Sequence, residues 1–508
     1  MPANEKVTSV GYERLRTQLG LTALPPWRPA HVRPVTRVVE TAHELQVPVG
    51  VAPTADRPLD HILFALKHEG VELQILAQAL AHVPADDLMA AVAASPTSRY
   101  VRAAGYLWEN LTGQQLQDAP GVGGNYVDIF DAEKYVTGTR RRDTRWRVDF
   151  NGLGTVRYCA TVRRMPELAA LIGADILRQT TEFLDGLGDA MKERALDWAY
   201  LHETEASYEI ERERPPENRA RAFAALLRKA HEPRALSEDY LVELQNAVVA
   251  NAFDRAVEYR GKQNWLRGEA RGAAGVSYVP PPPELAAELM SELLVFANPL
   301  PAEADSLVCA AVVSFGFVFP HSFMDGNGRL SRFLFHKALF QKGELAQGRL
   351  LPVSVAMKRH ERDYLAVLHA YSRPLRERWL VRFIDEGRYD FEFHGDASLY
   401  RYWDATQAAE FSLRMAQQAL EVDLHQQTHY LAKYDAVKRA VEARFDIQNN
   451  TLATLIHSAL QHENVVSRNR LRQFAGQVDE AVFDVIDEVA RGMDMPAEDP
   501  DHEIHAGD

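Results

Sequence analysis

The sequence predicts a mostly α-helical fold, with an α+β segment at its N-terminal end and a helical region at its C-terminal end. From about Pro166 onward, apolar residues recur at helical spacing almost to the end of the chain. Residues 126–130 and 146–150 instead carry β-forming residues in alternation, with glycines just beyond them. Repeated prolines disfavour long helices within residues 1–60.

The predicted elements follow one another in chain order. Helical patterns cover residues 60–94 and 99–111, ahead of a small sheet or a pair of hairpins within residues 125–165. The later predicted helices are 166–204, 217–231, 237–258, 284–297, 304–318, 329–342, 358–370, 375–386, 404–445 and 466–492. Residues 496–508 are acidic and polar, and we expect them to fray. Breaks in the pattern predict domains at 1–170, 171–394 and 395–508, the first and last of unknown role.

Composition and charge exclude several classes of function. Of 508 residues, 46% are apolar and 25% are charged, which is ordinary for a globular protein. The net charge of −14 argues against nucleic-acid binding, which requires a basic face. Cys159 and Cys309 have neither metal-ligand nor disulfide spacing, which favours a reducing compartment. Without a signal-peptide pattern or a long apolar run, we expect a cytoplasmic protein that does not enter a membrane.

The loop that precedes the predicted helix 329–342 has the composition of an anion-binding site. It lies within residues 321–332 (HSFMDGNGRLSR), after an apolar helix that ends near Pro320. Gly326, Asn327 and Gly328 place several backbone N–H groups at a helix N-terminus, where the helix dipole adds partial positive charge. The sequence therefore predicts an anion cradle made by the backbone of these three residues.

The side chains of the same stretch supply the other groups that phosphoryl or nucleotidyl transfer needs. Arg329 and Arg332 lie on one face of the first helical turn, where both could clamp phosphate oxygens. Asp325 is a lone carboxylate suited to Mg²⁺, which takes one or two protein oxygens and completes its shell with phosphate and water. His321 could remove a proton from an incoming hydroxyl near neutral pH, and Phe323 would turn inward as an apolar anchor. Each feature is common alone, but together they predict a transferase site.

This stretch resembles the signature of the Fic family, His-x-Phe-x-Asp/Glu-Gly-Asn-Gly-Arg-x-x-Arg, and meets every defined position. One departure is Ser322, at a variable position where most members carry proline. The resemblance implies a helical Fic core and transfer of AMP from ATP, with Mg²⁺, to a Ser, Thr or Tyr hydroxyl of a target protein. Related Doc-type kinases carry lysine in place of the second glycine, so Gly328 argues against that branch.

The resemblance also suggests functions for two further segments. Residues 274–283 look like the β-hairpin flap with which the family holds its target by strand addition, here through Val276, Ser277, Tyr278 and Val279. A surface turn followed by a polyproline spacer is the alternative. Residues 358–364 begin a helix where members of the family place side chains near the nucleotide base. Tyr364 is either a wall of that site or an ordinary core tyrosine.

Residues 207–212 (SYEIER) resemble the family's inhibitory motif, Ser/Thr-x-x-x-Glu-Gly/Asn, with Ser207 and Glu211 at the matching positions. The departure is Arg212, which replaces the small residue. A carboxylate at the end of this helix could form a forked ion pair with Arg332, so that the γ-phosphate of ATP would lack its partner. The alternative is a solvated face of a glutamate-rich helix.

Other functions stay open at this stage. The loop contacts phosphates only, so UTP or CDP-choline as donor, or removal of AMP, are alternatives to transfer from ATP. A non-catalytic regulatory protein is another, with residues 60–115 and 430–492 as interaction modules. The sequence leaves undecided the target, self-modification and assembly into homo-oligomers. His425 and His429 have i, i+4 spacing but lack the adjacent glutamate of a zinc protease, which favours a solvated face.

Overall fold

The computed structural model describes residues 8–117, 119–214, 216–249, 254–346, 348–385 and 387–493. Contacts among residues divide the chain into two compact units, one of residues 1–181 and 200–418, the other of residues 182–199 and 419–508. The mostly α-helical fold with an N-terminal α+β segment is confirmed. The domain boundaries near residues 170 and 394 stay predictions.

The N-terminal segment of the first unit mixes helices with short strands. Its helices are α1 (Gly11–Gln18), α2 (Pro58–His68), α3 (Leu73–Leu80), α4 (Ala85–Ala94) and α5 (Arg99–Thr112). Its strands are β1 (Ser9–Val10), β2 (Ala30–Val32), β3 (Val39–Glu40), β4 (Leu45–Val47), β5 (Val127–Asp128), β6 (Arg141–Asp143), β7 (Val148–Phe150), β8 (Leu153–Thr155) and β9 (Tyr158–Thr161). The strands form sheets in the orders β1-β2-β4-β3 and β5-β7-β6, while β8 and β9 belong to a third sheet.

Helices dominate the chain after this segment. They are α6 (Pro166–Gly173), α7 (Ile176–Gly186), α8 (Asp189–Ile210), α9 (Glu217–Arg228), α10 (Glu238–Val248), α11 (Pro283–Ala297), α12 (Ser306–Val318), α13 (Asn327–Lys342), α14 (Val353–Arg359), α15 (Glu361–Arg376), α16 (Ser398–Arg401) and α17 (Thr406–Gln418). The strands among them are β10 (Leu266–Arg267), β11 (Val276–Tyr278), β12 (Trp379–Asp385), β13 (Arg388–Phe393) and β14 (Tyr402–Asp404).

Strand β14 joins the sheet of β8 and β9 from far along the chain. It pairs in parallel with β9, with Tyr402 opposite Cys159 and Asp404 opposite Thr161. Arg163 follows β9 and forms ion pairs with both Asp404 and Glu72, and its side chain is 8% exposed. The sheet and this buried cation therefore tie residues near 400 to the N-terminal segment of the same unit.

Several predicted helices are wrong in part, and the segments 166–204 and 466–492 are each more than one helix. The helix expected at 375–386 is a strand from Trp379 onward, because Trp379, Val381 and Phe383 alternate as β-formers and pair with β13. The helix expected at 237–258 ends at Val248, since Val249 is extended. Apolar periodicity detected these segments but could not distinguish a short helix end from a strand start.

The second unit contains a separate helical core. Its helices are α18 (His425–Glu442), α19 (Asn449–Gln461), α20 (Arg468–Phe474) and α21 (Glu480–Gly492), preceded by one π-helical stretch, Ala419–Leu424. Val437, Leu455 and Ile486 are fully buried in this core. The predicted fraying at 496–508 lies outside the described residues.

Among the residues described, no single helix is long and apolar enough to cross a membrane. The bent pair of α3 and α4 passes the same test by length and composition only.

A close contact between α5 and the β6–β7 turn yields a stability prediction. A Cβ at Gly105 would lie 2.2 Å from the Trp146 ring, and Trp146 is 1% exposed. We expect Gly105→Ala to lower the free energy of unfolding by about 1–3 kcal/mol through overpacking, measured by chemical denaturation. Gly173→Ala is the matched control, because nothing lies within 4 Å of the added methyl group. Equal effects of the two changes would contradict the prediction.

Candidate functional site

Two consecutive buried helices set the position of the loop at residues 319–326. Every residue of α12 is buried, as is most of α13. Asp305 caps the start of α12, where its carboxylate accepts the Val308 N–H at 2.9 Å. Gly343 ends α13 in the left-handed conformation at φ 77°, as predicted. The loop therefore joins two elements whose positions the core fixes.

The Asn327 side chain folds the loop. Its Oδ1 accepts the Phe323 N–H at 3.0 Å and its Nδ2 donates to the Phe323 carbonyl at 2.8 Å. Phe323 is 1% exposed, which confirms its predicted inward turn. The Asn327 side chain is thus committed to the loop itself, and any contact of this residue with an anion rests on its backbone N–H.

Arg260 and Asn264, which sequence reasoning missed, hold the backbone around His321. Arg260 Nε donates to the His321 carbonyl at 2.8 Å, and its Nη2 donates to the Pro281 carbonyl at 2.6 Å. Asn264 Nδ2 donates to the carbonyls of His321 and Phe323, each at 3.2 Å. His321 has φ 49°, an uncommon left-handed conformation that these bonds maintain. Neither residue belongs to a recognisable sequence motif, so only the structure reveals them.

The His321 ring is set to accept a proton. Its Nδ1 lies 2.9 Å from the Val318 carbonyl oxygen. Because that oxygen can only accept, Nδ1 carries the proton of the neutral ring and Nε2 keeps a lone pair. Burial lowers the pKa of His321, although the Val318 carbonyl and the Glu211 carboxylate partly oppose this effect. The ring is therefore neutral near pH 7, as a general base must be.

Arg332 is buried in the second turn of α13 and is held by the last turn of α8 and the residue that follows it. Its Nε donates to Ser207 Oγ at 2.7 Å, and its Nη2 donates to the Ser207 carbonyl at 2.7 Å and to Glu211 Oε1 at 2.8 Å. The expected fork between Glu211 and Arg332 is wrong in detail, because Ser207 takes two of the donors and Glu211 receives one. Arg332 is 3% exposed, so its charge requires such partners.

The Glu211 carboxylate lies against Gly328. A Cβ at Gly328 would lie only 1.9 Å from Glu211 Oε1 and 3.2 Å from Oε2. Gly328 belongs to the first turn of α13, whose first backbone N–H groups have no partner within the helix. The carboxylate therefore occupies the position at the helix N-terminus where the sequence predicts an anion.

Arg212, the departure from the inhibitory motif, has φ 59°. The N–H of Arg212 bonds to the Glu209 carbonyl at 2.9 Å, and that of Glu213 bonds to the Tyr208 carbonyl at 3.0 Å. This pair of bonds is the Schellman pattern. The position that Arg212 occupies in this pattern is usually glycine or asparagine. The small residue of the motif thus serves the left-handed turn, and arginine fills it at a conformational cost.

The same turn directs a second carboxylate to the site. Glu213 Oε2 accepts from Arg329 Nη1 at 2.8 Å. Arg329 Nη2 also contacts both oxygens of Asp325, at 3.2 and 3.1 Å. Arg329 is 1% exposed, so both arginines of the predicted clamp are buried and paired with carboxylates.

Glu203 anchors α8 two turns before Glu211. Its role is not evident from the sequence, because α8 carries several glutamates. It is 1% exposed and lies 2.7 Å from His336 Nε2. It also accepts the Ser354 N–H at 2.7 Å. Glu203 and Ser207 on α8, together with Glu211 just beyond its end, thus form one face that contacts α13 and the start of α14.

Residues 235–339 match the model of the Fic/DOC family. This span contains the loop, His321 and both arginines. The chain contains a Fic/DOC domain. Ser207 and Glu211 lie upstream of the matched residues.

Two solved structures of Fic proteins are similar to the chain. One is a Fic family protein from Desulfovibrio desulfuricans G20, at 19% identity and a TM-score of 0.36, covering 63% of this chain and 87% of that chain. The other is a Fic domain containing signaling protein from Bacteroides thetaiotaomicron VPI-5482, at 17% identity and a TM-score of 0.35, covering 49% and 96%. No curated protein matches by sequence.

The predicted flap of the Fic/DOC domain is a short hairpin of β10 and β11. Its predicted docking residues are mostly turned inward: Val276, Tyr278 and Val279 are buried, and Tyr278 donates to the Phe319 carbonyl at 2.8 Å. Ser277 Oγ donates to the Leu266 carbonyl at 3.1 Å. Arg376 Nε donates to the Val276 carbonyl at 2.8 Å. The Arg376 side chain thereby occupies the outer edge of β11. The exposed strand of the hairpin is β10.

Tyr364 is 5% exposed and packs near Phe315 and Phe411, at ring distances of 6.2 and 5.9 Å. Burial raises its pKa, and the Arg332 cation partly opposes this effect. The tyrosine therefore lies in the core beside the arginine clamp.

A metal site built from protein side chains alone is not found in the described part of the chain, counting groups of at least three His, Cys, Asp or Glu. His425 stacks on Phe183 at 4.2 Å. A lone Asp325 is still compatible with Mg²⁺, since phosphate and water complete the shell of that ion.

The left-handed turn at Arg212 generates a stability prediction. We expect Arg212→Gly to raise the free energy of unfolding by up to about 1 kcal/mol, because glycine adopts this conformation without a Cβ penalty. Denaturant titration measures the change. Arg214→Gly, in the same segment but without a positive φ, should not stabilise the protein. Destabilisation by Arg212→Gly would contradict the assignment of this turn.

Proposed function

We propose that the chain is a protein adenylyltransferase that transfers AMP from ATP to a hydroxyl of a target protein and is inhibited by Glu211. One observation carries the proposal: the Glu211 carboxylate bonds to Arg332 and lies on Gly328 at the N-terminus of α13. Its oxygens stand in for phosphate oxygens, which the same helix end and guanidinium would bind.

The transfer step uses the lone pair of His321. As the target hydroxyl oxygen bonds to the α-phosphorus, His321 Nε2 takes the hydroxyl proton. The bond between the α-phosphorus and the bridging oxygen breaks, and pyrophosphate leaves with the electron pair. The backbone N–H groups of Asn327 and Gly328 stabilise the charge on the phosphate oxygens. The predicted contribution of Gly326 is corrected, because its N–H already donates to Asp325 Oδ1 at 2.7 Å. The neutral ring and its free Nε2 support this role.

Mg²⁺ would be held by Asp325 and would neutralise phosphate charge during transfer. The Asp325 side chain is 39% exposed and contacts Arg329, so it lies next to the phosphate clamp and is accessible. A single carboxylate oxygen donor at this place fits an ion that binds mainly to nucleotide phosphates.

Inhibition follows from competition for the arginines. Arg332 cannot bond fully to a γ-phosphate while Ser207 and Glu211 accept from it, so ATP would bind without its outer clamp. Glu213 places a similar constraint on Arg329. Because α8 is anchored by Glu203, the carboxylates are held at the site rather than free to leave.

The target would add as a strand to β10, since the outer edge of β11 is occupied by Arg376. Transfer from UTP or CDP-choline, and removal of AMP, use the same phosphate contacts and remain alternatives for the donor and the direction. Within the part of the chain that the structure describes, no contact favours a purely regulatory protein over these.

Mass spectrometry of the purified chain and of treated lysate proteins tests the transfer. With ATP and Mg²⁺, the Glu211→Gly form should incorporate more AMP than the wild type, because Arg332 is freed for phosphate. We expect a gain of about tenfold or more, corresponding to at least about 1.4 kcal/mol in the bound transition state. His321→Ala in the Glu211→Gly background should abolish incorporation.

Glu209→Gly is the matched control, because Glu209 is exposed and lies two positions before Glu211, at the end of α8. This substitution also removes a carboxylate and introduces a glycine. Equal gains in Glu209→Gly and Glu211→Gly would refute inhibition by Glu211. Parallel reactions with UTP and CDP-choline identify the donor. If no donor labels the well-folded Glu211→Gly form or any lysate protein, the transferase proposal fails.

The rate should also depend on pH through His321. Because burial holds the pKa of His321 below its ordinary value of 6.5, the ring stays neutral until the pH falls below that value. We therefore expect the rate of the Glu211→Gly form to be flat near pH 7 and to fall only below about pH 6.5. The Glu211 carboxylate favours the protonated His321 ring. Its removal therefore lowers the pH at which the rate begins to fall. An acidic limb above pH 7 in protein that circular dichroism shows to be folded would contradict the role of His321.

A further inference from the structure

One cavity of the first unit, of about 400 Å³, has a wall of aromatic side chains. Trp27, Phe319, Tyr371, Tyr402 and Trp403 contribute to it. Trp27 is 45% exposed, which places it at the mouth. Cavities of this size and apolar character accommodate small organic molecules.

The charged groups of this cavity are predominantly acidic. Glu72, Asp404 and Glu410 line it, and Arg163 is the basic residue among its lining residues. Arg163 is already paired with both Glu72 and Asp404. Burial raises the pKa of Glu72, and Asp404 raises it further against the opposing Arg163 cation. An anionic ligand would have to displace a carboxylate from Arg163, so the cavity disfavours phosphates and nucleotides.

We propose that this cavity binds a small organic cation, an ammonium group carried on an apolar or aromatic body. Aromatic faces and excess carboxylate are the two features that attract such a cation. The Trp27 ring already has two guanidinium groups over it, Arg28 at 3.9 Å and Arg163 at 5.1 Å from its centroid. These contacts show that the Trp27 ring attracts cations, and an added ammonium group would share the ring with them.

An adjoining cavity of about 280 Å³ shares Trp27, Glu72 and Arg163 in its wall and includes Glu69. Its other Arg, Lys and Glu residues are Arg28, Glu40, Glu133, Lys134 and Arg164, so this cavity is not acidic overall. Glu69 Oε2 is buried, and within the described residues it has no hydrogen-bond partner. Burial raises the pKa of Glu69 well above its ordinary value, which favours the neutral carboxyl as long as no cation lies beside it. An ammonium donor in this pair of cavities would satisfy it.

The aromatic wall connects this site to the loop before His321. Tyr371 stacks on Phe319 with ring centroids 3.7 Å apart and planes at 15°. The Phe319 carbonyl accepts the Tyr278 hydroxyl of the hairpin. A ligand that contacts Tyr371 would therefore affect the positions of both the loop and the hairpin. An effect on catalysis rests on the proposed function, whereas binding of the ligand does not.

Calorimetry with the full chain tests the binding, using phenethylamine as the cation and 2-phenylethanol as its neutral counterpart of the same shape. We expect phenethylamine to bind in the millimolar range or tighter, and at least about tenfold more tightly than 2-phenylethanol. Trp27→Ala, which removes an exposed aromatic ring from the cavity, should weaken the binding of phenethylamine by about fivefold or more. Glu410→Gln should weaken it by about threefold, since one carboxylate is lost.

Glu217→Gln is the matched control for Glu410→Gln. Glu410 pairs with Arg414 and Glu217 with Arg221, both at i, i+4 on a helix, but Glu217 lies outside the cavity. The control should bind phenethylamine as the wild type does. Absence of phenethylamine binding, equal binding of the neutral alcohol, or equal loss in the control would each overturn the proposal. None of these measurements requires AMP transfer, so a failure here leaves the transferase proposal to its own test.

Discussion

Two buried guanidinium groups constrain the rest of the site. Arg329 and Arg332 are 1% and 3% exposed, and a buried charge without a partner costs about 3–5 kcal/mol. Glu211, Glu213, Asp325 and Ser207 meet this requirement. A fold that buries these cations must always present anions to them, which explains why the end of α8 contacts the first turn of α13. Any ligand that binds there has to exchange with an anion of the protein itself.

Much of this site could be predicted from sequence because its groups are adjacent in the chain. The loop, the helix start, the inward Phe323 and the cap at Gly343 all follow from local residue chemistry, which acts within a few positions. Contact between Glu211 and Arg332 was also predictable, although only through a resemblance between motifs. Its geometry differs from the expected fork because Ser207 competes for the same donors.

Residues that act through distant backbone contacts could not be predicted. Arg260 and Asn264 reach the loop across about sixty positions, and nothing in their neighbours indicates which carbonyls they will meet. The local sequence of Glu203 is that of a solvated glutamate, and its partners His336 and Ser354 are more than 130 positions away. The strand Trp379–Asp385 has a short apolar run that fits both a helix and a strand, and only its pairing with Arg388–Phe393 decides between them.

The parallel pairing of β14 with β9 has a consequence for synthesis of the protein. Arg163, next to β9, bonds to Thr406 across 243 positions of sequence. A ribosome that adds about 5–20 residues per second would need roughly 12–50 s between exposing these two stretches. During that interval the edge of β9 stays without its neighbour while the intervening helices emerge. Nascent chains would therefore depend on a chaperone, or on rapid collapse of those helices, to keep that edge from pairing with another copy.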